Sequence, residues 1–343
     1  MIRLAMPQLT SVEDAQSMLQ TAIGVEFGTL PPYLYAMFSI PPGENVAAAQ
    51  LIKSVLMQEM IHMCLACNIL NALGGNPKLT PPVYPGPLPG DIGPDGEPLT
   101  IHLLPFSECA MEQGMNIEQP ETPPDFPVVT ALQFAAGPTA VTIGQFYAAL
   151  DAFLATLNPN AWTANRNQIT DQQYFPGQLF AVNSYADAHQ AIIDIVSEGE
   201  GAPDSPLDFQ NELAHYYRFG ECYYNKVLTK ADNPQGYTWG PNSLGIDWSQ
   251  VYPAIPDPGS HDFSNDPQAA QDAQAACNLA YSQMVDSLQL AMTGVNGQLG
   301  VAVRAMFELR MAAKVALQCP LADPNLVAGP AFLYTPTSGG ASS

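Results

Sequence analysis

The 343-residue chain is 47% hydrophobic, enough to bury one large core, and its 32 Asp and Glu against 10 Lys and Arg give a formal net charge of −22. So few cations form no basic stripe for phosphates, which argues against nucleic acid as a partner, and an anionic membrane surface would repel the chain. Six scattered cysteines and the lack of an apolar run after Met1 are typical of a cytoplasmic protein. The uncharged span 126–150 is interrupted at Gly137-Pro138, so it is not expected to cross a membrane.

The first predicted helix begins at Thr10-Ser11-Val12-Glu13, which has the pattern of a capping box. Its apolar stretch leads to Glu26, the only acid beyond its first turn. Pro31-Pro32 and then Pro41-Pro42 are expected to break or end this helix. Glu26 is therefore the natural carboxylate that helix one contributes to a buried site, although a solvated surface position is the alternative.

The second predicted helix lies within residues 50–73 and is apolar nearly all round, which is typical of a buried helix. It contains Glu59-Met60-Ile61-His62. Residues three apart share one face of a helix, so the carboxylate and the imidazole point the same way. A buried carboxylate costs several kcal/mol unless it is paired or bound to metal, and Lys53 is the only cation nearby.

An insertion rich in Pro and Gly at its start follows, and we expect it to cover a site and to shape a substrate pocket or form a lid. His102 and Glu118 lie within it and could approach bound metals. A lone His in an apolar strand is more often a hydrogen-bonded core residue, and neither residue is assigned as a ligand. Residues 142–157 predict a helix.

The third predicted helix has Ser184 as its N-cap and ends at Glu198-Gly199-Glu200-Gly201. Residues two apart cannot face the same way, so one of its two Glu is expected to bind metal, and periodicity does not decide which. The fourth helix is predicted to open near Ser205-Pro206 and to carry Glu212-Leu213-Ala214-His215, the same tetrad spacing as in helix two.

These elements are predicted to form one domain over residues 1–343. Its parts are helices one and two (1–74), the covering insertion (75–183), helices three and four (184–230), a loop (231–265), C-terminal helices (266–320) and a tail (321–343).

Two Glu-x-x-His helices and one Glu from each of two others form the carboxylate-bridged dinuclear centre of ferritin-like four-helix bundles. The predicted metal ligands are Glu26, Glu59, His62, Glu212, His215 and one of Glu198 and Glu200. Oxygen-rich donors with two imidazoles suit iron or manganese. Helical spacing also brings Tyr33, Tyr216 and Tyr223 near the ligands, as pocket-lining or hydrogen-bonding candidates.

The chain resembles the ferritin-like domain of iminophenyl-pyruvate dimer synthases. The resemblance rests on Glu26 with 31–36 (PPYLYA), the first tetrad, 70–75 (LNALGG), 84–90 (YPGPLPG), 199–201 (GEG), 215–221 (HYYRFGE) and 328–330 (AGP). It implies a mostly α, ferritin-like four-helix bundle, and it favours Glu200 over Glu198. In that family, such a domain helps to couple two imines derived from an aromatic amino acid, but as part of a much larger protein.

The sequence therefore predicts a protein with two iron ions, or manganese or a mixed iron–manganese pair, that activates dioxygen. Its partner would be a small-molecule substrate, possibly amino-acid-derived, that is oxidised or oxidatively coupled. A homo-oligomer is compatible with this. The alternatives are an iron-storage or peroxide-detoxifying protein, which acts without an organic substrate, and a metal-free structural relative that acts as a partner in a pathway complex.

Overall fold

The computed structural model describes residues 2–120, 140–171, 173–201, 205–233 and 236–337, and these residues are mostly helical. The helices are α1 (Val12–Phe38), α2 (Val46–Ala72), α3 (Glu108–Ile117), α4 (Ile143–Leu154), α5 (Tyr185–Glu200), α6 (His215–Tyr224), α7 (Gln268–Met292) and α8 (Gln298–Ala316). Two short antiparallel pairs join β1 (Leu4–Ala5) to β2 (Ala140–Val141) and β3 (Leu228–Lys230) to β4 (Tyr237–Trp239). The predicted mostly α fold is confirmed.

The α1 helix begins where the sequence predicts, but it does not end at its prolines. Ser11 and Asp14 form a complete capping box, and the helix then runs through Pro31 and Pro32 to Phe38. A proline at position 32 cannot donate to the carbonyl of Gly28, and the hydroxyl of Tyr84 donates to that carbonyl instead. The insertion thus replaces a missing helical hydrogen bond, which keeps α1 continuous.

The bundle consists of α1, α2, α5 and α6. The α1 and α2 helices pack along each other, and both α5 and α6 pack on α2 and on each other. The α7–α8 hairpin attaches to this bundle through α1 and α2. The α2 helix is long and apolar enough to cross a membrane, but 89% of its most apolar window is buried inside the protein. Most of the span 126–150 lies outside the described residues.

The insertion covers one side of the bundle. Its helix α3 packs on α6 and α1, and its helix α4 packs on α5 and α1. The segment before α3 approaches α1 so closely that a Cβ at Gly28 would lie 2.7 Å from Leu88 Cδ2. Glycine at this position therefore lets the cover lie directly on the helix that carries Glu26.

The fourth predicted helix is present as α6, but its predicted start near Ser205-Pro206 is wrong. The α6 helix begins at His215, and Glu212 lies in the non-helical segment that precedes it. Within this segment, Asp208 Oδ1 accepts the backbone N–H groups of Gln210 and Glu212, and Asn211 has a positive φ of 65°. Local side-chain hydrogen bonds thus compete with the helix, which is the usual behaviour of Asp and Asn.

Candidate metal centre

Five buried side chains from four elements meet between the bundle and its cover. Glu26 comes from α1, Glu59 and His62 from α2, Glu118 from the C-terminal end of α3, and His215 from the start of α6. Each is at most 7% exposed. They form two groups, Glu26–Glu59–His62 and Glu59–Glu118–His215, and within each group the potential ligand atoms lie within 4.8 Å of one another. Glu59 belongs to both groups.

The distances define two adjoining sets of donors. His215 Nδ1 lies 2.7 Å from Glu59 Oε1 and 3.6 Å from Glu118 Oε2. His62 Nδ1 lies 3.8 Å from both Glu26 Oε2 and Glu59 Oε1. The two imidazole rings stack with their centroids 5.5 Å apart. Both Nδ1 atoms therefore face the same carboxylate from neighbouring positions.

The other nitrogen of each imidazole points away from the carboxylate that the two groups share. His62 Nε2 lies 2.9 Å from Glu198 Oε2, and His215 Nε2 lies 3.1 Å from Gln58 Oε1. Donation of Nε2–H to these acceptors leaves the Nδ1 lone pair aimed at the carboxylates, which is the arrangement of a metal-ligating histidine. Nδ1 of His215 is buried and makes no hydrogen bond of good geometry, despite its closeness to Glu59.

A buried arginine supports the Gln58 amide. Arg218 is 4% exposed, and its Nη1 donates to Gln58 Oε1 at 2.7 Å and to Ser54 Oγ at 2.8 Å. Its Nε donates to the carbonyl of Leu213, and its Nη2 lies 3.3 Å from Glu212 Oε2. The guanidinium is thus held behind His215 and fixes the acceptor that orients this imidazole.

Hydroxyl groups bind the remaining carboxylate oxygens. Tyr147 donates to Glu26 Oε1 at 2.7 Å, Tyr33 donates to Glu118 Oε1 at 2.5 Å, and Thr29 donates to Glu59 Oε2 at 3.1 Å. In each case the oxygen bound by the hydroxyl is not the one closest to the imidazoles. These contacts fix the orientation of the carboxylates and leave one oxygen of each facing the centre.

Burial and the charges of neighbouring groups shift the pKa values of the buried carboxyl and imidazole groups. Burial and the Glu59 charge raise the pKa of Glu26 well above its usual range, and the same causes raise the pKa of Glu118. Burial alone would raise the pKa of Glu59, but the nearby imidazoles lower it to about 2. Burial opposes protonation of His215, yet Glu118 and Glu59 outweigh it and raise its pKa to about 9.

His62 and Glu198 behave as a second coupled pair. Burial opposes the charged form of both groups, but their mutual hydrogen bond outweighs it. The pKa of His62 is therefore raised and that of Glu198 is lowered. Without metal, imidazolium and carboxylate charges balance inside the site. Metal ions would replace the protons of the raised groups, because ligation needs neutral imidazole and ionised carboxylate.

Glu198 and Glu200 have different surroundings, although both are near the centre. Glu198 Oε2 lies 2.9 Å from His62 Nε2, the ring nitrogen that points away from the shared Glu59. Glu200 is the last residue of α5, since Gly201 has a φ of 96°, and its Oε1 accepts the backbone N–H of Gly144 at 2.8 Å. Glu200 also lines the cavity that opens onto Glu26, Glu59, His62 and Glu118.

This cavity contains about 410 Å³ of empty space, part of it open to solvent. Its walls come from α1, α2, the C-terminal end of α3, the N-terminus of α4 and the last turns of α5. The apolar residues are Val25, Ile117, Ile143, Ile195 and Val196. The enclosed part of this space admits groups about the size of a few water molecules, and the remainder is open to solvent.

Three predicted residues lie apart from the described cluster. The Glu212 side chain is 66% exposed and forms its ion pair with Arg218. Its tetrad is not a turn of helix, so its spacing from His215 places no carboxylate on the imidazole's face. Tyr216 and Tyr223, on α6, lie edge-on against the neighbouring rings of Tyr217 and Tyr224. Tyr33, by contrast, contacts Glu118 directly.

Glu118 lies beside His215 Nδ1, where the tetrad spacing predicted the Glu212 carboxylate, and Tyr147 is a further contact that the sequence did not indicate. Glu118 follows a short helix with a Ser107 N-cap, a local signal for an ordered element. Tyr147 lies in the predicted helix 142–157, beside the buried Phe146. His102 pairs instead with Asp257, at 2.6 Å.

The donor set fits a metal centre. Buried carboxylates converge with two Nδ1 atoms, Glu59 belongs to both groups of donors, and the Nδ1 of His215, which has no hydrogen-bond partner, is a donor that a metal ion would bind. Oxygen-rich sites with some imidazole suit iron and manganese better than copper or thiolate-bound zinc.

A bundle of helices with a buried carboxylate–histidine cluster defines the ferritin-like class of helical protein. The ferritin-like family matches residues 19–224, and the chain belongs to this family. A solved structure described as a ferritin-like protein from Caulobacter vibrioides is similar, with 22% identity and a TM-score of 0.66 over 96% of this chain and 100% of that chain. This similarity concerns the fold. No curated protein matches the chain.

Proposed function

We propose that this protein binds two iron ions and uses them to activate dioxygen for the oxidation or oxidative coupling of a small organic molecule. The observation that supports this most strongly is Glu59, which is shared by two groups of donors that each contain a buried imidazole. Manganese, or one ion of each kind, would satisfy the same donors.

We assign Glu26, Glu59 and His62 to one ion and Glu59, Glu118 and His215 to the other. Glu200 is the remaining anionic donor because it lines the same cavity. Glu198 has a different role in this proposal: its carboxylate accepts the Nε2–H of His62 and orients that ring.

When bound, two iron ions would pass electrons from the organic substrate to dioxygen, and two-electron oxidation of two substrate molecules would balance the reduction of one dioxygen to two water molecules. The protein's own residues would position the ions and the substrate. Tyr147, Tyr33 and Thr29 hold the carboxylates in place, and the apolar cavity excludes water and holds the substrate beside the centre. The resemblance to iminophenyl-pyruvate dimer synthases favours an oxidative role over iron storage, and so do helices α3 and α4 of the insertion, which cover the site.

Elemental analysis and oxygen consumption test this proposal together. The wild-type protein is expected to hold two iron or manganese ions per chain and to consume oxygen faster when a suitable substrate is added. Glu59→Ala should lose both ions, whereas Glu212→Ala, a matched change at an exposed Glu, should keep them. Iron taken up far beyond two ions per chain, with no need for a substrate, would instead indicate storage. No metal in the wild type, even after anaerobic iron addition, would contradict the proposal.

A further inference from the structure

We infer that the α7–α8 hairpin is the interface through which two copies of this chain form a symmetric dimer. The contact surface is the hairpin face, which is defined by Leu279 on α7 and by Phe307, Met311 and Val315 on α8. In this dimer, α8 of one copy lies on α7 of the other. Neither the candidate metal ligands nor the cavity take part in the contact.

Strongly exposed apolar side chains are concentrated on this hairpin. The described residues include ten large apolar side chains of this kind, and six of them lie on or beside α7 and α8. The six are Leu279, Val295, Phe307, Met311, Val315 and Leu333, whose backbone N–H donates to Asn278 on α7. Single exposed apolar residues are common on soluble proteins, but a group of them in one place is typical of an interaction surface.

The exposed side chains of α8 lie along one face of the helix. Phe307, Met311 and Val315 are four residues apart and are 60%, 60% and 54% exposed. The opposite face, which includes Leu309, is buried. The exposed face continues towards the start of the helix, where a Cβ at Gly300 would meet no described atom within 4 Å. A second helix could therefore lie along this face without displacing any described residue.

The α7 helix adds Leu279 to the same surface. Cys277 of α7 and Ala313 of α8 belong to one buried cluster of the antiparallel hairpin. Two residues further along, Leu279 and Met311 therefore lie at about the same level, and Leu279 is 54% exposed. The exposed Ala275 lies one turn before Leu279. Larger side chains on α8 and smaller ones on α7 allow helices of two copies to pack closely.

The charges of the two helices are complementary. The α7 helix has two Asp and no Lys or Arg, whereas α8 has three cations and one Glu. These residues are Asp272 and Asp286 on α7, and Arg304, Glu308, Arg310 and Lys314 on α8. The hairpin is therefore neutral, and the rest of the chain carries the net charge of −22. Two copies can approach each other at the hairpin with less repulsion than elsewhere on their surfaces.

This charge pattern selects one symmetric arrangement. A two-fold axis parallel to the helices places the basic α8 of each copy on the acidic α7 of the other. A two-fold axis across the helices would instead place α8 on α8 and bring like charges together, which is unfavourable. In the first arrangement, Met311 faces the partner's Leu279. Lys314 then lies within about one helical turn of the level of the partner's Asp272.

The hairpin is large enough for a stable dimer. The 19-residue α8 is about 28 Å long, and two adjacent helices are about 20 Å wide. The outer face therefore covers about 600 Å² in projection, and its protruding side chains make the accessible area larger. Stable interfaces bury about 800 Å² on each partner. The hairpin face thus has the area that a dimer of this kind needs.

Sedimentation velocity of the whole protein, at about 1 to 100 μM, tests this interface. The wild type is expected to sediment as a species of twice the 36.7 kDa chain mass. Phe307→Glu should raise the dissociation constant of the dimer at least about 30-fold, because it places a charge among the apolar contacts. Phe209→Glu is the matched control, since Phe209 is also 60% exposed but lies in the segment before α6. This variant should dimerise as the wild type does.

A wild type that stays monomeric over this range would overturn the inference. So would a dimer that Phe307→Glu weakens no more than Phe209→Glu does. Since Phe307 is exposed in the single chain, its Glu variant is expected to keep the wild-type circular dichroism spectrum. Met311→Glu provides a second variant on the hairpin face, and it should weaken the dimer in the same way.

Charge reversal tests the arrangement of the two copies. Asp272→Lys and Lys314→Glu should each raise the dissociation constant about 3- to 10-fold, because each brings like charges together across the interface. The double variant restores opposite charges, so it should dimerise more tightly than either single variant. A double variant that dimerises no more tightly than the single ones would refute the placement of α8 on the partner's α7.

Discussion

Replacing Glu118 with Gln distinguishes the ligand set in the structure from the one that the tetrad spacing suggests. Glu118 Oε2 lies 3.6 Å from His215 Nδ1, while its Oε1 accepts the hydroxyl of Tyr33. A Gln side chain has the same shape and its amide oxygen can still accept from Tyr33, but it has no charge. The fold should therefore survive the substitution, and the metal site beside His215 should be weakened.

The size of the effect follows from the role of the residue. Loss of a group that only orients a ligand typically costs about 10- to 100-fold in metal affinity, and loss of the ligand's own charge should cost at least about 100-fold, or about 2.7 kcal/mol. The matched change Glu212→Gln alters a side chain that is 66% exposed and pairs with Arg218. Arg218 keeps its donations to Ser54, Gln58 and the Leu213 carbonyl without Glu212, so this variant should bind both ions nearly as the wild type does.

Calorimetric titration with Mn(II), supported by elemental analysis of the dialysed proteins, provides the assay. Glu118→Gln is expected to keep one tight ion and to lose or weaken the second, and Glu212→Gln is expected to keep two. The opposite result, with both ions retained in Glu118→Gln and one lost in Glu212→Gln, would refute the assignment and would restore the helical tetrad as the ligand motif.

Three further outcomes are expected. Gln58→Leu removes the acceptor that orients His215 and should weaken metal binding about 10- to 100-fold in titrations. Gln58→Glu keeps an acceptor and should bind metal more tightly than the Leu variant does. Equal metal affinities of the two variants would contradict the orienting role. The pKa of His215 is raised to about 9, so its protonation stabilises the metal-free fold fully below about pH 6.5, and this stabilisation is lost as the pH rises through 9. Denaturant unfolding should show a decrease of at most about 3.4 kcal/mol between those values, and unchanged stability would contradict the raised pKa. A Cβ at Gly114 would lie 2.8 Å from the Phe219 ring, so Gly114→Ala should destabilise the α3–α6 packing by about 1–3 kcal/mol in thermal unfolding. Gly300→Ala, in α8 with no atom within 4 Å of the added Cβ, should be neutral or slightly stabilising. Similar melting temperatures for the two variants would show that the close approach has no energetic consequence.

The strongest helical patterns predicted the fold well, because they depend on local residues. Helix α1 starts at its capping box, α5 starts at its Ser184 N-cap, and α2 lies within an apolar stretch that is buried as expected. The prediction failed at Pro31-Pro32, where the Tyr84 hydroxyl replaces a hydrogen bond that the helix itself cannot make. A contact over more than 50 residues of chain leaves no signal in the local pattern.

The candidate site was predictable where donors lie on well-defined helices. Glu26, Glu59 and His62 meet because α1 and α2 are regular at these positions, and His215 joins them from the first turn of α6. The Glu212–His215 spacing resembles the first tetrad only in sequence, since Asp208 and Asn211 give the preceding segment a turn conformation. A spacing of three residues places two side chains on the same face only where the backbone is helical.

Glu118 could not be found from periodicity, because its position depends on how the insertion packs. The α3 helix reaches the centre through its contacts with α6 and α1, which include the close approach of Gly114 to Phe219 and the hydrogen bond from Tyr33. The choice between Glu198 and Glu200 had the same limit. Only the three-dimensional arrangement shows that the His62 Nε2 atom faces Glu198.

Anomalous diffraction from crystals soaked in Mn(II) locates each ion relative to named side chains and so tests the dinuclear centre. Two peaks are expected on either side of Glu59, one beside Glu26 and His62 and the other beside Glu118 and His215. A single peak, no peak, or an ion bound through Glu212 would contradict a dinuclear centre built on the shared Glu59.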